Sequence, residues 1–235
     1  MSDTNTTNNV GVAAVDRAFV IVNVLAQQNE PITLAQLARE TNFYKSTLLR
    51  LIASLEKVAL VTRNSDGHYL LGPYAYELGR AYQGTHQIER VLAPILEELV
   101  SQGSESSSFH VYYSTKYRLC LLRFDSNHST LDSIAAGDLL PLTKGAAGRL
   151  ITRFHHTQLS STNENITAVS MGERDASCAS VACAVFGAAN EFVGALSLSG
   201  PRQRFTPEAV KKLLKMARQA AYKATIKLGG TWPGV

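Results

Sequence analysis

Apolar residues recur at helical spacing in the first 60 residues of the chain. In 14–28 they fall three or four positions apart, which predicts a helix with one buried stripe: Val15, Ala18, Phe19, Val22, Leu25 and Ala26. Pro31 then ends the helical pattern, because proline has no backbone N–H to donate. The segment 44–58 predicts another amphipathic helix, whose stripe is Leu48, Leu51, Ile52 and Leu55.

A shorter helix is predicted between these two. Thr33 and Gln36 form the T-x-x-Q pattern of a capping box, and Asn42 suits the left-handed turn that often ends a helix. After the third helix, short β-rich segments at 61–63 and 68–71 flank Asp66-Gly67, a dipeptide typical of hairpin turns. A helix, a capped helix, a short turn, a third helix and a hairpin together predict a winged helix-turn-helix.

The remaining two thirds of the chain alternate between strand and helix signals. Helices are predicted at 91–100, at 144–153 and after Thr206, which precedes Pro207 and Glu208 as a helix cap would. Strands are predicted at 109–114, 117–124, 133–135, 166–171, 180–186 and 192–200. Helices that bracket a mainly antiparallel sheet predict an α+β sensor domain.

Charge alone does not identify a partner. The net charge of +4 and the sequence pI near 9.0 mildly favour an anionic partner, yet cationic and anionic residues balance over 1–72. The excess lies in 202–227, where we interpret the lysines of the last helix as a solvated face. DNA binding must therefore depend on where a few side chains are placed.

Composition narrows the class of protein further. Three cysteines, Cys120, Cys178 and Cys183, do not form a disulfide framework or a metal motif, so we expect no metal and no cofactor. The polar residues 1–12 lack a signal pattern and predict a disordered tail and a cytoplasmic protein. No apolar run approaches the roughly 20 residues of a membrane span.

The polar first turn of the third helix carries the candidate DNA contacts. Ser46 and Thr47 would donate hydrogen bonds to phosphate, Lys45 would add charge, and Arg50 could bind guanine or phosphate through both arms of its guanidinium. The full predicted set adds the neighbouring Tyr44, Thr33 at the second helix, and Arg63 and His68 in the wing. The alternative is that these charges form an ordinary solvated helix face.

Residues 14–72 resemble the DNA-binding domain of the IclR family of bacterial transcription regulators. The resemblance is carried by AVDRAFVIVNVLA, by PITLAQLARETNFYKSTLLRLIASLE and by GHYLLG. Asn42 and Ala59 stand where that family usually has glycine. If Ala59 must adopt a positive φ, the cost is on the order of 1 kcal/mol.

The C-terminal part is similar to the IclR effector-binding domain, which is GAF-like. The similarity is carried by GDLLPLTKGAAGRL (137–150) and SVACAVFGAANEFVGALSLSG (180–200). It implies a DNA-binding domain at 13–73, a linker helix at 74–90 that helps to form a dimer, and an effector-binding domain at 91–235.

A pocket for a small acid is predicted in this domain. Ser197 and Ser199 share one face of their strand, and the glycine-rich start of the helix at 144–153, including Gly145, offers backbone N–H groups. The resemblance places Ala146, Ala147, Ser180, Ser197 and Ser199 where the family contacts small acids, with Leu140 on an apolar wall and Ser170 as a further member. The alternative is that these serines satisfy local backbone groups.

Together these features predict a ligand-responsive, DNA-binding regulator of a metabolic, catabolic operon. Its expected partners are double-stranded operator DNA, a small carboxylate effector and further copies of the chain in a homodimer or tetramer. The alternative is a winged-helix module that binds protein, with a dimerising sensor-like domain and no direct DNA binding. An enzyme is disfavoured because the sequence has no GxSxG and no triad motif.

Overall fold

A computed structural model describes residues 11–85, 88–127, 133–155 and 165–233. The chain divides into two compact units, Met1–Thr85 and His86–Val235. The tail predicted at 1–12 lies outside the described residues, apart from Gly11 and Val12. No helix in the described ranges combines the length and apolar character that crossing a bilayer requires.

The first unit contains three helices, a hairpin and a fourth helix. The elements are α1 (Ala13–Ala26), α2 (Leu34–Thr41), α3 (Lys45–Lys57), β1 (Val61–Arg63), β2 (Tyr69–Leu71) and α4 (Pro73–Thr85). One apolar core holds them together: Ile21, Leu25, Ile32, Leu37, Leu48, Ile52, Val61 and Tyr69. The winged helix-turn-helix prediction is confirmed.

Side-chain capping explains where α2 begins. The Thr33 Oγ1 accepts a hydrogen bond from the Gln36 backbone N–H (3.2 Å), and the Gln36 Oε1 accepts one from the Thr33 backbone N–H (2.8 Å). Asn42 ends the helix at φ 56° and ψ 32°. The capping box and the left-handed asparagine are both confirmed.

The predicted buried stripe of α1 is only partly right. Ile21 and Leu25 are the buried residues of this helix, whereas Val15 and Phe19 remain 50% and 56% exposed. The core of the unit therefore lies against a face that is rotated from the predicted one. The stripe predicted for α3 is correct, because Leu48 and Ile52 are fully buried and Leu51 and Leu55 are half-buried.

A Schellman motif ends α3 at Ala59. The Leu60 N–H donates to the Leu55 carbonyl (3.0 Å) and the Ala59 N–H donates to the Glu56 carbonyl (2.9 Å), the two bonds that define the motif. Ala59 itself has φ 54°. The condition raised from the sequence is therefore met, since Ala59 occupies a left-handed position.

The second unit is a six-stranded antiparallel sheet covered by helices. Its elements are α5 (Ile88–Ser101), β3 (Ser106–Tyr112), β4 (Tyr117–Asp125), β5 (Leu139–Pro141), α6 (Gly145–Phe154), β6 (Thr167–Met171), β7 (Cys178–Phe186), β8 (Phe192–Pro201) and α7 (Pro207–Lys227). The strand order is β5-β4-β3-β8-β7-β6. The α+β prediction with an antiparallel sheet is confirmed.

Helices cover both faces of this sheet. Consecutive residues of β7 from Val181 to Phe186 are buried, which requires packing on both sides of the strand. The helix α6 packs against β6, β7 and β8, whereas α5 and α7 pack against each other and against the sheet. The start of α7 is as predicted, because the Thr206 Oγ1 accepts a hydrogen bond from the Ala209 N–H (3.3 Å).

Several boundaries in the second unit and before it differ from the predicted ones. The strand predicted at 133–135 is wrong, and the edge strand is instead β5, whose Leu140 pairs with Arg118. Helix α4 ends at Thr85, and α5 already begins at Ile88, within the segment predicted as a linker.

Candidate functional site

The first turn of α3 is exposed and uncommitted. Tyr44 is 85% exposed, and Lys45, Ser46 and Arg50 are exposed as well. The side chains of Lys45, Ser46 and Arg50 make no hydrogen bond or ion pair with any other part of the described chain. The N-cap residue Tyr44 makes no side-chain cap, so the first N–H groups of the helix also lack a side-chain acceptor.

Burial on the opposite face holds α3 in this orientation. Leu48 and Ile52 are anchored in the core, while Thr47 is half-buried beside them. An exposed polar turn on a helix anchored by its other face is the geometry that allows a recognition helix to enter a major groove.

The wing residues are more constrained than the helix residues. The Arg63 Nε donates to the Gly67 carbonyl (2.9 Å), and its guanidinium lies 5.5 Å from the centre of the Tyr69 ring. His68 is half-buried, and its backbone N–H donates to the Asn64 Oδ1 (2.8 Å). Arg63 therefore braces the hairpin in addition to carrying a charge at its surface.

Thr33 differs from Lys45, Ser46 and Arg50 because its hydroxyl already has a partner within the protein. Its hydroxyl is committed to the capping box, at 2.7 Å from the Gln36 Oε1. A phosphate contact from this position would use the start of α2 and not a free hydroxyl.

Serines form two rows across the sheet of the second unit. In the first row, Ser106, Ser199, Ser180 and Ser170 are direct partners on β3, β8, β7 and β6. In the next row, Ser108 pairs with Ser197. Because side chains alternate along each strand, all six hydroxyls face the same side of the sheet.

Five of these serines, all except Ser106, border a small cavity. Its volume is about 40 Å³, and the start of α6 contributes Gly145, Ala146 and Ala147 to its wall. The predicted residues Ser170, Ser180, Ser197 and Ser199 line it. Further lining residues were not predicted from the sequence: Ser108, His110, Ile134, Arg118, Arg174, Asp175, Cys178 and Ala179. Leu140, the predicted apolar wall, is buried on β5 and is not among the lining residues.

Two of the four predicted serine hydroxyls, those of Ser199 and Ser197, already have partners. The Ser199 Oγ lies 2.8 Å from the Ser106 Oγ, and the Ser197 Oγ donates to the Val181 carbonyl (3.2 Å). The Ser180 hydroxyl has no such bond to a described residue. Hydrogen bonds within the sheet therefore explain the presence of some of these serines without a ligand.

Arg118 is buried beside the start of α6. It is 3% exposed, and its Nη1 donates to the carbonyls of Pro141 and Lys144, the latter at 2.8 Å. A side chain at Gly148 would collide with the Leu142 carbonyl, so glycine lets α6 approach this backbone closely. Arg118 thus places a guanidinium at the cavity wall and fixes the segment that leads into α6.

A carboxylate of the protein already reaches the α6 terminus. The Glu173 Oε2 accepts a hydrogen bond from the Gly145 N–H (3.1 Å), and its Oε1 lies 3.3 Å from the Arg149 Nη2. An acid bound in the cavity would therefore use other donors or displace Glu173. This geometry is direct support for the affinity of this helix start for a carboxylate.

The cysteines and the potential metal ligands of the described residues do not form a further candidate site. All three cysteines are buried and free, and burial raises the pKa of Cys183 to about 12. Within the described ranges, histidine, cysteine and carboxylate side chains form no cluster that could hold a metal ion.

The sequence contained one signal for the missed residues. Polar and apolar residues alternate over Ser108, Phe109, His110 and Val111, which marks a strand with one polar face, but the predicted strand began only at 109. Arg118 and Arg174 had no comparable signal, since single arginines in strands and loops are common.

Two family models match the chain. The IclR helix-turn-helix domain matches residues 14–65, and the bacterial transcriptional regulator IclR C-terminal domain matches 152–225. A curated relative, the transcriptional repressor IclR of Escherichia coli strain K12, is 21% identical, with 93% of this chain and 91% of the relative covered.

Solved structures share the fold. An IclR homologue from Microbacterium hydrocarbonoxydans in complex with 4-hydroxybenzoate has a TM-score of 0.77 at 16% identity, with 92% of this chain and 99% of that chain covered. An IclR transcriptional regulator from Alicyclobacillus acidocaldarius has a TM-score of 0.73 at 20% identity, with 92% and 98% covered.

Proposed function

The chain belongs to the IclR family of transcriptional regulators, and on this premise we propose that α3 binds operator DNA and that the cavity beside α6 binds a small organic acid. The observation that carries the DNA proposal is the exposed first turn of α3, whose cationic and hydroxyl side chains are uncommitted. Ser46 and Thr47 bind phosphate, Lys45 adds charge, and Arg50 reaches a base or a phosphate. Tyr44, Arg63, His68 and the start of α2 at Thr33 complete the contact surface.

Duplex binding by the full-length protein tests this proposal. The duplex comes from the region upstream of the regulator's own gene, and fluorescence anisotropy is measured at rising salt. Because several phosphates are neutralised, the affinity falls steeply, by roughly 10³-fold or more between low and moderate salt for six or more contacts. Arg50→Ala weakens binding by about tenfold or more.

Lys57→Ala is the matched control, since it removes one positive charge from the same helix. Lys57 lies about 10 Å, or two turns, further along α3 than Arg50, and more than three turns from the exposed end at Lys45. Equal losses in the two variants would mean that net charge and not the first turn of α3 binds the duplex. No duplex affinity at any salt would instead favour the alternative, a winged-helix module that binds protein.

The effector proposal is supported by the chemistry of the cavity. Hydroxyl groups, the Arg118 guanidinium and the N-terminus of α6 are all suited to a carboxylate, and Glu173 already bonds to that terminus. The solved homologue from Microbacterium hydrocarbonoxydans holds 4-hydroxybenzoate, an aromatic acid. The cavity of about 40 Å³ favours an acid of only a few atoms for this chain.

An acid controls transcription only through differential binding. It changes the DNA affinity to the extent that it prefers one conformation of the protein, and a coupling of about 1–3 kcal/mol is sufficient. We propose that the regulated genes serve the metabolism of that acid and that the protein acts in the cytoplasm, where the operator is.

A second copy of the chain is the proposed partner of two exposed apolar faces in the first unit. Val12, Val15 and Phe19 are exposed at helical spacing at and beside the start of α1, and Tyr74, Leu78 and Tyr82 are exposed on α4. Pairing these faces between copies would bury them and place two α3 helices for paired half-sites. A dimer is the minimum, and a tetramer is compatible with it.

A further inference from the structure

His110 is a buried histidine that the DNA-binding and carboxylate proposals leave unused. It lies on β3, is 3% exposed and lines the cavity beside α6. Its Nε2 is 2.9 Å from the Ser108 Oγ. Its Nδ1 is buried and has no hydrogen-bond partner among the residues that the structure describes. An unpaired buried nitrogen is destabilising, and a bound polar group that pairs with it recovers this loss.

The charged groups around His110 come from several elements. Arg118 and Arg123 project from β4 and Arg174 from the segment between β6 and β7; Asp175 of that segment also lines the cavity. The neighbouring start of α6 contributes only the uncharged Gly145, Ala146 and Ala147. Cys120 is the residue opposite on β4.

Burial and these cations keep the imidazole neutral while the cavity is empty. Burial has the largest effect, followed by the guanidinium groups of Arg118, Arg123 and Arg174, and together they lower the pKa of His110 well below its usual value. A neutral ring at a cavity wall beside cations is poised to change its charge when an anion enters.

We infer that His110 is a ligand-contacting residue of this cavity, and that a small carboxylate binds there together with one proton, which His110 takes up from the solvent. The inference rests on the proposed effector site. The incoming negative charge offsets the guanidinium groups and gives the imidazolium an acceptor, so the protonated ring becomes the favoured form in the complex. The products are the bound carboxylate and an imidazolium, and no covalent bond of the ligand changes.

Linkage fixes the sign of the pH dependence. The empty site holds His110 neutral, and the complex holds it protonated, so the pKa is higher in the complex than in the empty site. Between those two pKa values the association constant falls as the pH rises, by up to about tenfold per pH unit. Above both values the affinity no longer changes with pH.

Isothermal titration calorimetry on the full-length protein measures the proton directly. The probes are formate and oxalate, which suit a cavity of this size and stay ionised from about pH 5.5 to 7.5. Each titration is run in two buffers that differ in ionisation enthalpy. We expect an uptake that approaches about one proton per bound acid at the lower end of this range.

His110→Gln removes the titrating ring but keeps a hydrogen-bonding side chain. The control is His155→Gln, directly after α6 in the same unit. The uptake is lost in His110→Gln and persists in His155→Gln. Acid binding without proton uptake by the wild type overturns the inference and leaves the effector site standing; this outcome needs no variant to fold. Uptake that survives in a folded His110→Gln also overturns it. If neither acid binds the wild type, the small-acid proposal fails and this inference fails with it.

Discussion

Replacing Ala59 by glycine is expected to stabilise the first unit. Ala59 is exposed and has φ 54° in the motif that ends α3, so its methyl group contributes no packing but must be held in the left-handed region. An L-residue with a side chain pays about 1–2 kcal/mol there. Glycine avoids this cost, but the greater freedom of the unfolded chain returns about 0.4–1 kcal/mol. The expected net gain is about 1 kcal/mol.

Hydrogen exchange of the full-length protein resolves this gain by region. The buried helical residues Leu48 and Ile52 lie in the core of the first unit, so their amides report its cooperative opening. A gain of about 1 kcal/mol slows their exchange about fivefold. The single tryptophan, Trp232, lies in the second unit. The urea midpoint of unfolding that its fluorescence reports should therefore be the same in Ala59→Gly as in the wild type.

Ala53→Gly is the matched control for this prediction. Ala53 is also exposed, but it lies inside α3, where glycine loses about 1 kcal/mol relative to alanine. The two identical chemical changes should therefore shift exchange in opposite directions. If Ala59→Gly does not slow the exchange of these amides, or if exchange is faster in both variants, the assignment of strain to Ala59 is refuted.

Two further variants test the second unit. Thr225→Val removes the Oγ1 that accepts a hydrogen bond from the buried Phe186 N–H (3.2 Å). The free energy of unfolding, followed by Trp232 fluorescence, should fall by about 1–3 kcal/mol. A decrease no larger than that of Thr152→Val, on the exposed side of α6, would contradict this role. Ser199→Leu fills the cavity and should abolish the effect of an acid on DNA affinity without weakening DNA binding itself; a response equal to that of the wild type would remove Ser199 from the site.

Local signals at fixed offsets were sufficient to predict several boundaries. Thr33 and Thr206 begin helices because a hydroxyl can accept an N–H of the first turn, whatever the rest of the fold does. Asn42 and the turn around Gly67, at φ 82°, were predictable for the same reason, since few residues adopt a positive φ without cost. By contrast, the three residues of β5 carry too short a pattern to distinguish them from a loop.

The error in α1 has a different cause. Val15 and Phe19 lie outside the core, although they continue the helical spacing of apolar residues. A sequence shows that a face is apolar but not whether the chain itself or a second copy covers it. The predicted stripe therefore merged the face buried in the core with the face that we assign to the dimer.

The charged wall of the cavity depends on one irregularity of the sheet. In a regular strand Arg118 and Arg123 would point to opposite faces, because five positions separate them. The register shifts between Phe109 and His110: Phe109 pairs with Leu122 and His110 with Cys120, so Leu121 has no partner and the alternation of β4 reverses there. As a result, His110 shares its face of the sheet with Arg123, which lies opposite Ser108, and with Arg118, which lies further along β4. Hydrophobic patterning does not locate a bulge, so the serines could be anticipated from the sequence whereas the cations around His110 could not.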